Sequence, residues 1–535
     1  MRGLSSLPKI IIFLCIFYLS TNLLWLFLNN SPLPWDQAGH TRLAIQFADF
    51  FKSFGFLKIV NYFSLSNYYP PLIHTIVAFF IILFGHPVYM GGLVITLFFI
   101  TSIILVYKYT KELINNEQVG IFAAIIYSFF PIIFEHSRWF LLEIPLLTFI
   151  LFSLLYLNRS KNLTEPKSTF KFFIFATLSV LTKWLSLIYL FIPLAFAFYR
   201  FLKEPNKNTE GKNATINGIG FFIIFTLPWY LINLSSLLHT VPPNLKGESS
   251  DPSILFSLKN IFFYLYLFVN FQVTALLGFL FLIALIYYFL KKKEKKGLIF
   301  SFILFNYIIF TIIPNKDWRY TIPILPFVAL IISSFVIDIY KKIKLFGKLV
   351  IFILLAFQIS YFMLLSFRSP LNFTYQKAVN LPLIGWIDYI NINDNLAHSY
   401  NNSNWKQKEI LSLIEEDRKK DLKDKVWLLV LIDKERINPG NILLQKDLDR
   451  SNNIEIESLP DNLLANNIEI ESYLNKFNYV LVGENEIGTL ATRNLNVFYQ
   501  ISDFVKNNYP QTYDRSAEFY LPSKDVLRLY KLKKL

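Results

Sequence analysis

The chain is 535 residues long, 54% hydrophobic and 18% aromatic, with a formal charge of +15 and a single cysteine, Cys15. Soluble domains do not carry so much apolar sequence, and the excess falls in solidly apolar runs of about 17–25 residues, the length of a helix that crosses a hydrocarbon core. Such runs argue against a β-barrel, whose strands would alternate, and one cysteine rules out an intrachain disulfide. The positive charge collects in short loops between the runs, the pattern of cytoplasmic loops rather than of a nucleic-acid surface.

The first run, Ile10 to Leu28, follows Arg2 and Lys9. It is long for a signal core and no small-x-small site follows it, so it reads as a retained anchor with a cytoplasmic N-terminus. Further basic loops lie at Lys108/Lys111, Arg159 to Lys171, Arg200 to Lys212, "KKKEKK" (291–296) and Lys341 to Lys348. If all are cytoplasmic, an even number of crossings separates each pair. Three apolar stretches stand between Lys9 and Lys108, so one must not cross. The stretch 71–84 is the shortest and is expected to lie on the outer surface as an interfacial helix within an outer loop, 29–87. Alternation from there places spans at 88–107, 119–134, 145–157, 170–182, 184–199, 216–232, 272–290, 298–313, 321–337 and 349–366, about eleven with the first.

After Phe367 the chain turns charged and Asn-rich. The segment 404–416 has helical periodicity. "KVWLLVLI" (425–432), "YVLVGE" (479–484) and "VLRLYKL" (526–532) read as strands, and 497–507 as a helix. The expected organisation is a polytopic α-helical membrane domain, 1–366, and an extracytoplasmic α/β domain, 367–535. The heptapeptide "NNIEIES" occurs at 452–458 and again at 466–472, as local repetition rather than a repeat architecture.

On this topology the outer segments carry a distinctive set of polar residues. They are Asp36, Gln37, His40 and Arg42 in "SPLPWDQAGHTR"; Glu135, His136, Arg138 and Glu143 in "EHSRWFLLEIP"; Lys183 at a turn; His239 and Pro242 after 232; and Lys316 and Arg319 in "PNKDWRY". Charges at membrane depth usually pair or face a cavity. A bundle that gathers these segments would therefore build a site. Ordinary readings stand beside this one. Asp36 could cap a helix starting at Gln37, Glu143 could favour a helix start, and Lys183 could snorkel to the interface. Lys316 and Arg319 could be plain loop cations. The histidines lack HxxH or HExxH spacing. The absence of a Walker loop and a dinucleotide fingerprint argues against a nucleotide-driven pump.

The order of motifs resembles that of the polyprenyl-phosphate-sugar-dependent membrane glycosyltransferases of GT-C type, the protein O-mannosyltransferase, aminoarabinose transferase and rhizobial galacturonosyl transferase group. "PWDQAGHTRLA" is similar to their first-loop acidic motif, "YYPPLIHTIVAFFIILFG" to their YPPL segment, and "SRWFLLEIPLL" to their second-loop R…D-x-P motif. "LSVLTKWLSLIYLFIPL" and "PNKDWRYTIPILP" match two later ones. The chain departs from the common pattern by Gln37 beside Asp36 and by Glu143 in place of Asp. The resemblance, over roughly 8–370, implies transfer of a sugar from a lipid phosphate to an acceptor hydroxyl on a protein, lipid or glycan at the outer face. It implies Asp36 as base, and Arg138, Lys183 and Arg319, with Lys316 behind them, as cations for the donor phosphate. Glu143 is implied to orient a cation or the acceptor, or to help hold a divalent metal. It further implies direct displacement with inversion. A transporter for lipid-linked sugars and a non-catalytic receptor remain as alternatives. The Lys-, Ile- and Asn-rich usage points to a prokaryote, hence the plasma membrane.

Overall fold

The computed structural model describes residues 7–53, 59–203, 209–245, 252, 254–291, 296–368, 373–394, 396–459, 467–484, 488, 495–508 and 511–533. Arg2, Lys207, Asn466 and the 292–295 part of the basic run lie outside the described residues. In chain order the first helices are α1 (Lys9–Leu28), α2 (Trp35–Lys52), α3 (Ile59–Ser64), α4 (Leu72–Phe84), α5 (Pro87–Ile114), α6 (Glu117–Ser128), α7 (Pro131–His136) and α8 (Glu143–Arg159). There follow α9 (Pro166–Val180), α10 (Ser186–Lys203), α11 (Thr209–Ile232), α12 (Leu234–Leu245), α13 (Leu258–Leu267), α14 (Ala275–Leu290), α15 (Lys296–Ile312), α16 (Leu325–Lys342) and α17 (Lys344–Phe367). A π turn, Phe268–Gln272, precedes α14, and a 3-10 turn, Trp318–Ile324, leads into α16.

Among the described residues, six helical segments are long and apolar enough to cross a membrane: α1, α5, α10, α11, Trp318–Lys342 and α17. The apolar helices α4, α6, α14 and α15 are shorter. The protein is thus a multi-pass helical membrane protein, with α16 buried on nearly every side from Leu325 to Ile337. Peripheral helices bury one stripe and expose another. In α17, Leu354, Tyr361 and Phe362 face inward, while Phe352 and Met363 remain exposed as a lipid-facing side would be.

Two compact units divide the chain. The first comprises Met1–Leu28, Phe47–Gly247 and Asp251–Tyr400; the second holds Asn29–Gln46 and Asn401–Leu535. The division therefore falls at Tyr400 rather than at 366. Residues 373–400 group with the helical unit, which they join through the hairpin of β1 (Tyr375–Leu381) and β2 (Gly385–Ile392). Two ties explain the grouping: the Asn270 side chain of the π turn donates to the Trp386 carbonyl at 3.0 Å, and the amide of Tyr400 to the Ser366 carbonyl at 3.4 Å.

The second unit contains the strands β3 (Val426–Leu431), β4 (Ile454–Glu457), β5 (Tyr479–Gly483), β6 (Tyr513–Tyr520) and β7 (Val526–Leu532), in sheet order β4-β3-β5-β7-β6. β3 runs parallel to β4 and β5; β7 is antiparallel to β5 and β6. Alternate residues of "VWLLVLI" feed two cores. Leu428 and Val430 pack with α18 (Gln407–Lys420) and α19 (Pro439–Asp449); Leu429 and Leu431 pack with α20 (Asn467–Leu474) and α21 (Leu495–Asn507). A strand covered on both faces reads as one apolar run, which is why β3 and β5 stood out in the sequence. The two copies of "NNIEIES" take different forms: 454–457 is strand β4, while 467–472 lies in helix α20. Tertiary context decides here, not local propensity.

The first loop of the sequence reading contains helices α2 and α3 as well as the expected short helix, which is α4. Within the helical unit, Gly92 of α5 lets the loop after α7 come close: a Cβ there would stand 2.8 Å from the Arg138 carbonyl oxygen. Gly220 in α11 faces open space. Gly92→Ala should therefore lower the melting temperature of the purified protein, with an overpacking cost of about 1–3 kcal/mol. Gly220→Ala should leave it unchanged or raise it, since alanine favours a helix interior by about 0.5–1 kcal/mol.

Candidate active site

Helices α8 and α9 form an antiparallel pair joined by a short turn, so the first residue of one lies beside the residues that follow the other. Glu143 opens α8, where a carboxylate suits the positive end of the helix dipole. Lys183 follows the end of α9, its amide bonded to the Ser179 carbonyl at 3.0 Å. The Lys183 ammonium donates to Glu143 Oε1 at 2.8 Å, with 12% and 5% of the two side chains exposed. Burial of two charges is tolerable only with such a partner.

Arg319 reaches the same place from the 3-10 turn. Asp317 caps that turn by accepting from the Arg319 amide at 2.8 Å, and it pairs with the guanidinium Nη2 at 2.6 Å. Gln272 of the π turn ties the turn down by donating to Thr321 Oγ1 at 2.6 Å, and the Tyr189 hydroxyl of α10 donates to the Tyr320 carbonyl at 2.7 Å. Lys183, Arg319 and His136 all act electrostatically on Glu143. The His136 ring packs against Trp318 at 6.0 Å and Trp139 at 5.9 Å. Burial pushes its imidazole below the ordinary histidine range.

The structure thus brings Glu143, Lys183 and Arg319 together. Arg138 has other commitments in the same unit. It is buried, donates to Ser366 Oγ at 2.9 Å and to the His398 carbonyl at 3.1 Å, and lies 4.5 Å over the Trp25 ring. Beside it, Glu135, fully buried, accepts from the His398 amide at 3.0 Å and meets His398 Nδ1 at 2.7 Å. Lys316 folds back on the end of α15, donating to the carbonyls of Phe310, Thr311 and Ile313 at 3.0, 2.7 and 2.6 Å. That is a C-terminal cap, where a cation complements the dipole. His239 lies in helix α12 rather than in a loop, its Nδ1 2.7 Å from the Ser235 carbonyl.

Asp36 belongs to the second unit. It stands in the first turn of α2, not at its cap, because the helix begins one residue earlier at Trp35. The chain before it is pinned to the C-terminal segment of the same unit. The Trp35 amide donates to the Glu435 carbonyl at 3.1 Å, Arg436 donates to the Pro32 carbonyl at 3.0 Å, and Arg42 pairs with Asp447 at 2.7 Å. Among the described residues, no group of three His, Cys, Asp or Glu side chains is placed to hold a metal ion.

Residues 69–232, which include Arg138, Glu143 and Lys183, match the family described as dolichyl-phosphate-mannose-protein mannosyltransferase. The whole chain has the GT-C fold of the membrane glycosyltransferases that the five sequence motifs resemble. It is similar to ArnT from Cupriavidus metallidurans bound to undecaprenyl phosphate, at 9% identity and a TM-score of 0.57, over 96% of this chain and 97% of that one. The apo state of the same ArnT gives 10% identity and a TM-score of 0.55, with the same coverage of 96% and 97%. The archaeal oligosaccharyltransferase AglB from Archaeoglobus fulgidus, in complex with an inhibitory peptide and a dolichol-phosphate, is similar at 11% identity and a TM-score of 0.52 over 97% of this chain and 73% of that one. At such identities the likeness is one of fold. No curated protein matches the sequence.

The buried pair predicts a coupled stability pattern. Glu143→Gln or Lys183→Met alone should cost about 3–5 kcal/mol, because each strands the other charge. The double variant should recover most of that loss in a thermal unfolding series of the four proteins.

Proposed function

We propose that this protein is a glycosyltransferase that moves a sugar from a polyprenyl-phosphate donor to an acceptor hydroxyl at the outer face of a prokaryotic plasma membrane. The observation that carries the reading is the Glu143–Lys183 pair with Arg319 within electrostatic reach of it, at one end of the helical unit. ArnT and AglB, whose fold it shares, were captured with a polyprenyl phosphate and a dolichol-phosphate respectively.

The chemistry of the leaving group fits these residues. As the glycosidic bond breaks, negative charge grows on the lipid phosphate. An ammonium and a guanidinium already fixed in place stabilise that charge without reorganisation. Glu143 and Asp317 hold Lys183 and Arg319 in position in the absence of donor. Arg138 serves best as a positioning residue for the second outer loop, and Lys316 as a helix cap. Asp36 is assigned as the base from its motif. Its carboxylate would take the acceptor's proton, a contribution of about 10²–10⁴-fold. On the sequence reading of about eleven crossings, its loop and the C-terminal domain lie outside the cell.

The test is turnover of radiolabelled polyprenyl-phosphate sugars by the purified full chain. The wild type should cleave the donor, and Asp36→Asn should lose at least about 100-fold in rate with donor binding retained. Near-wild-type turnover by that variant removes Asp36 from the role of base. Transfer of the intact donor across vesicles without cleavage would mark a transporter instead.

A further inference from the structure

A cavity lies at the end of the helical unit opposite the candidate active site. It has a volume of about 530 Å³, within the range of small-molecule sites, and is formed where α5, α8, α10 and α15 meet. The polar part of its wall is basic: Lys161, Arg200 and Lys296 line it together with Asn158 and Asn162, and no acid is among its described lining residues. The remaining wall is apolar, with Leu154, Leu157, Pro193 and Phe196. Phe196 is 39% exposed, so this wall opens toward the outside of the bundle.

Helix geometry separates this cavity from the candidate active site. Glu143 opens α8 and Asn158 lies near its end, 15 residues on, or about 22 Å along the axis. The turn after α8, the last turn of α10 and the first turn of α15 supply Lys161, Arg200 and Lys296, and α5 contributes Tyr109 near its end. The first turn of α15 contains no acid, and Gly297 and Leu298 bring its positive dipole end to the cavity. An acid on the neighbouring helix end does not neutralise the cations, because Glu112 is held by Arg159 at 2.9 Å. Lys296 also reaches the carbonyls of Phe289 and Lys291 at 3.3 Å, which keeps its ammonium at the rim.

A cluster of cations beside an apolar wall that opens to lipid suits a phosphate attached to a hydrocarbon chain. We propose that this cavity binds the phosphate headgroup of an anionic membrane lipid in the leaflet opposite the active site, with the acyl chain along Pro193 and Phe196. Basic pockets between membrane helices on the cytoplasmic side take such headgroups, and each cation contributes through attraction to the phosphate.

The experiment measures lipid retained by the purified full chain, by native mass spectrometry after exchange into phosphatidylglycerol or phosphatidylcholine. Phosphatidylglycerol should be retained and phosphatidylcholine lost. Lys161→Ala with Arg200→Ala should weaken phosphatidylglycerol binding about 30-fold. Lys161→Arg with Arg200→Lys should keep it, and Lys341→Ala with Lys342→Ala, at the end of α16 and outside the cavity, should not change it. Inorganic pyrophosphate should not displace the lipid. Equal retention of both lipids overturns the proposal, as does wild-type binding by the alanine pair. Binding of pyrophosphate, but not of phosphatidylglycerol, that depends on Lys161 and Arg200 overturns the lipid assignment in favour of a free anion. Donor cleavage plays no part in the readout, so these outcomes stand apart from those of the proposed activity.

Discussion

The ion pair between Glu143 and Lys183 is the constraint on which the candidate site of the helical unit depends. Charges of opposite sign 2.8 Å apart, both largely withdrawn from water, cannot be separated without leaving one of them stranded. The pair fixes the start of α8 against the end of α9. Arg319 joins it only because the 3-10 turn before α16 is itself held by Asp317, Gln272 and Tyr189. A lipid phosphate that approached this corner would meet cations whose positions were fixed before it arrived.

Much of this organisation was legible in the sequence, and the reason is the bilayer. Hydrocarbon demands long apolar helices, and the basic loops mark their ends, so the apolar runs appear as helices close to where composition placed them. In the small domain the strands buried on both faces were legible as apolar runs, and helices α18 and α21 near 404–416 and 497–507. The edge strands β4 and β6 and the hairpin of β1 and β2 carry mixed sequence, and nothing local distinguishes them. The repeated "NNIEIES" shows the limit: one heptapeptide is a strand beside β3 and a helix elsewhere.

The site was legible in kind but not in its assignments. Glu143, Lys183 and Arg319 stood out as charges in the outer loops and turns; Lys183 meets Glu143 and Arg319 lies within electrostatic reach of the pair. Lys316 stood out equally, yet it caps the helix that ends just before it, a use that follows from its position near the carbonyls of α15. Arg138 is separated by 260 positions from His398, whose carbonyl it binds. No spacing rule reaches that far, and the segment that contains His398 looked like part of another domain. Asp317 was visible beside Arg319, and an acid two residues before an arginine at a helix start is a signal worth reading.

The two ends of the helical unit use charge differently, and the difference follows from what each is proposed to hold. At the Glu143 end two cations have an acid beside them: Lys183 has Glu143 and Arg319 has Asp317. A phosphate bound there competes with those carboxylates, so it can be held during reaction and then released, as turnover requires. At the other end Lys161, Arg200 and Lys296 surround a cavity with no acid among its described lining residues. No carboxylate among those described residues competes with a phosphate, which suits a lipid that stays rather than one that is consumed. An excess of cations at one end also orients the chain, because basic segments resist transfer across the membrane. On the proposed topology the same residues that hold the basic loops in the cytoplasm also line the basic cavity, and the compensated charges lie toward the opposite end of α8.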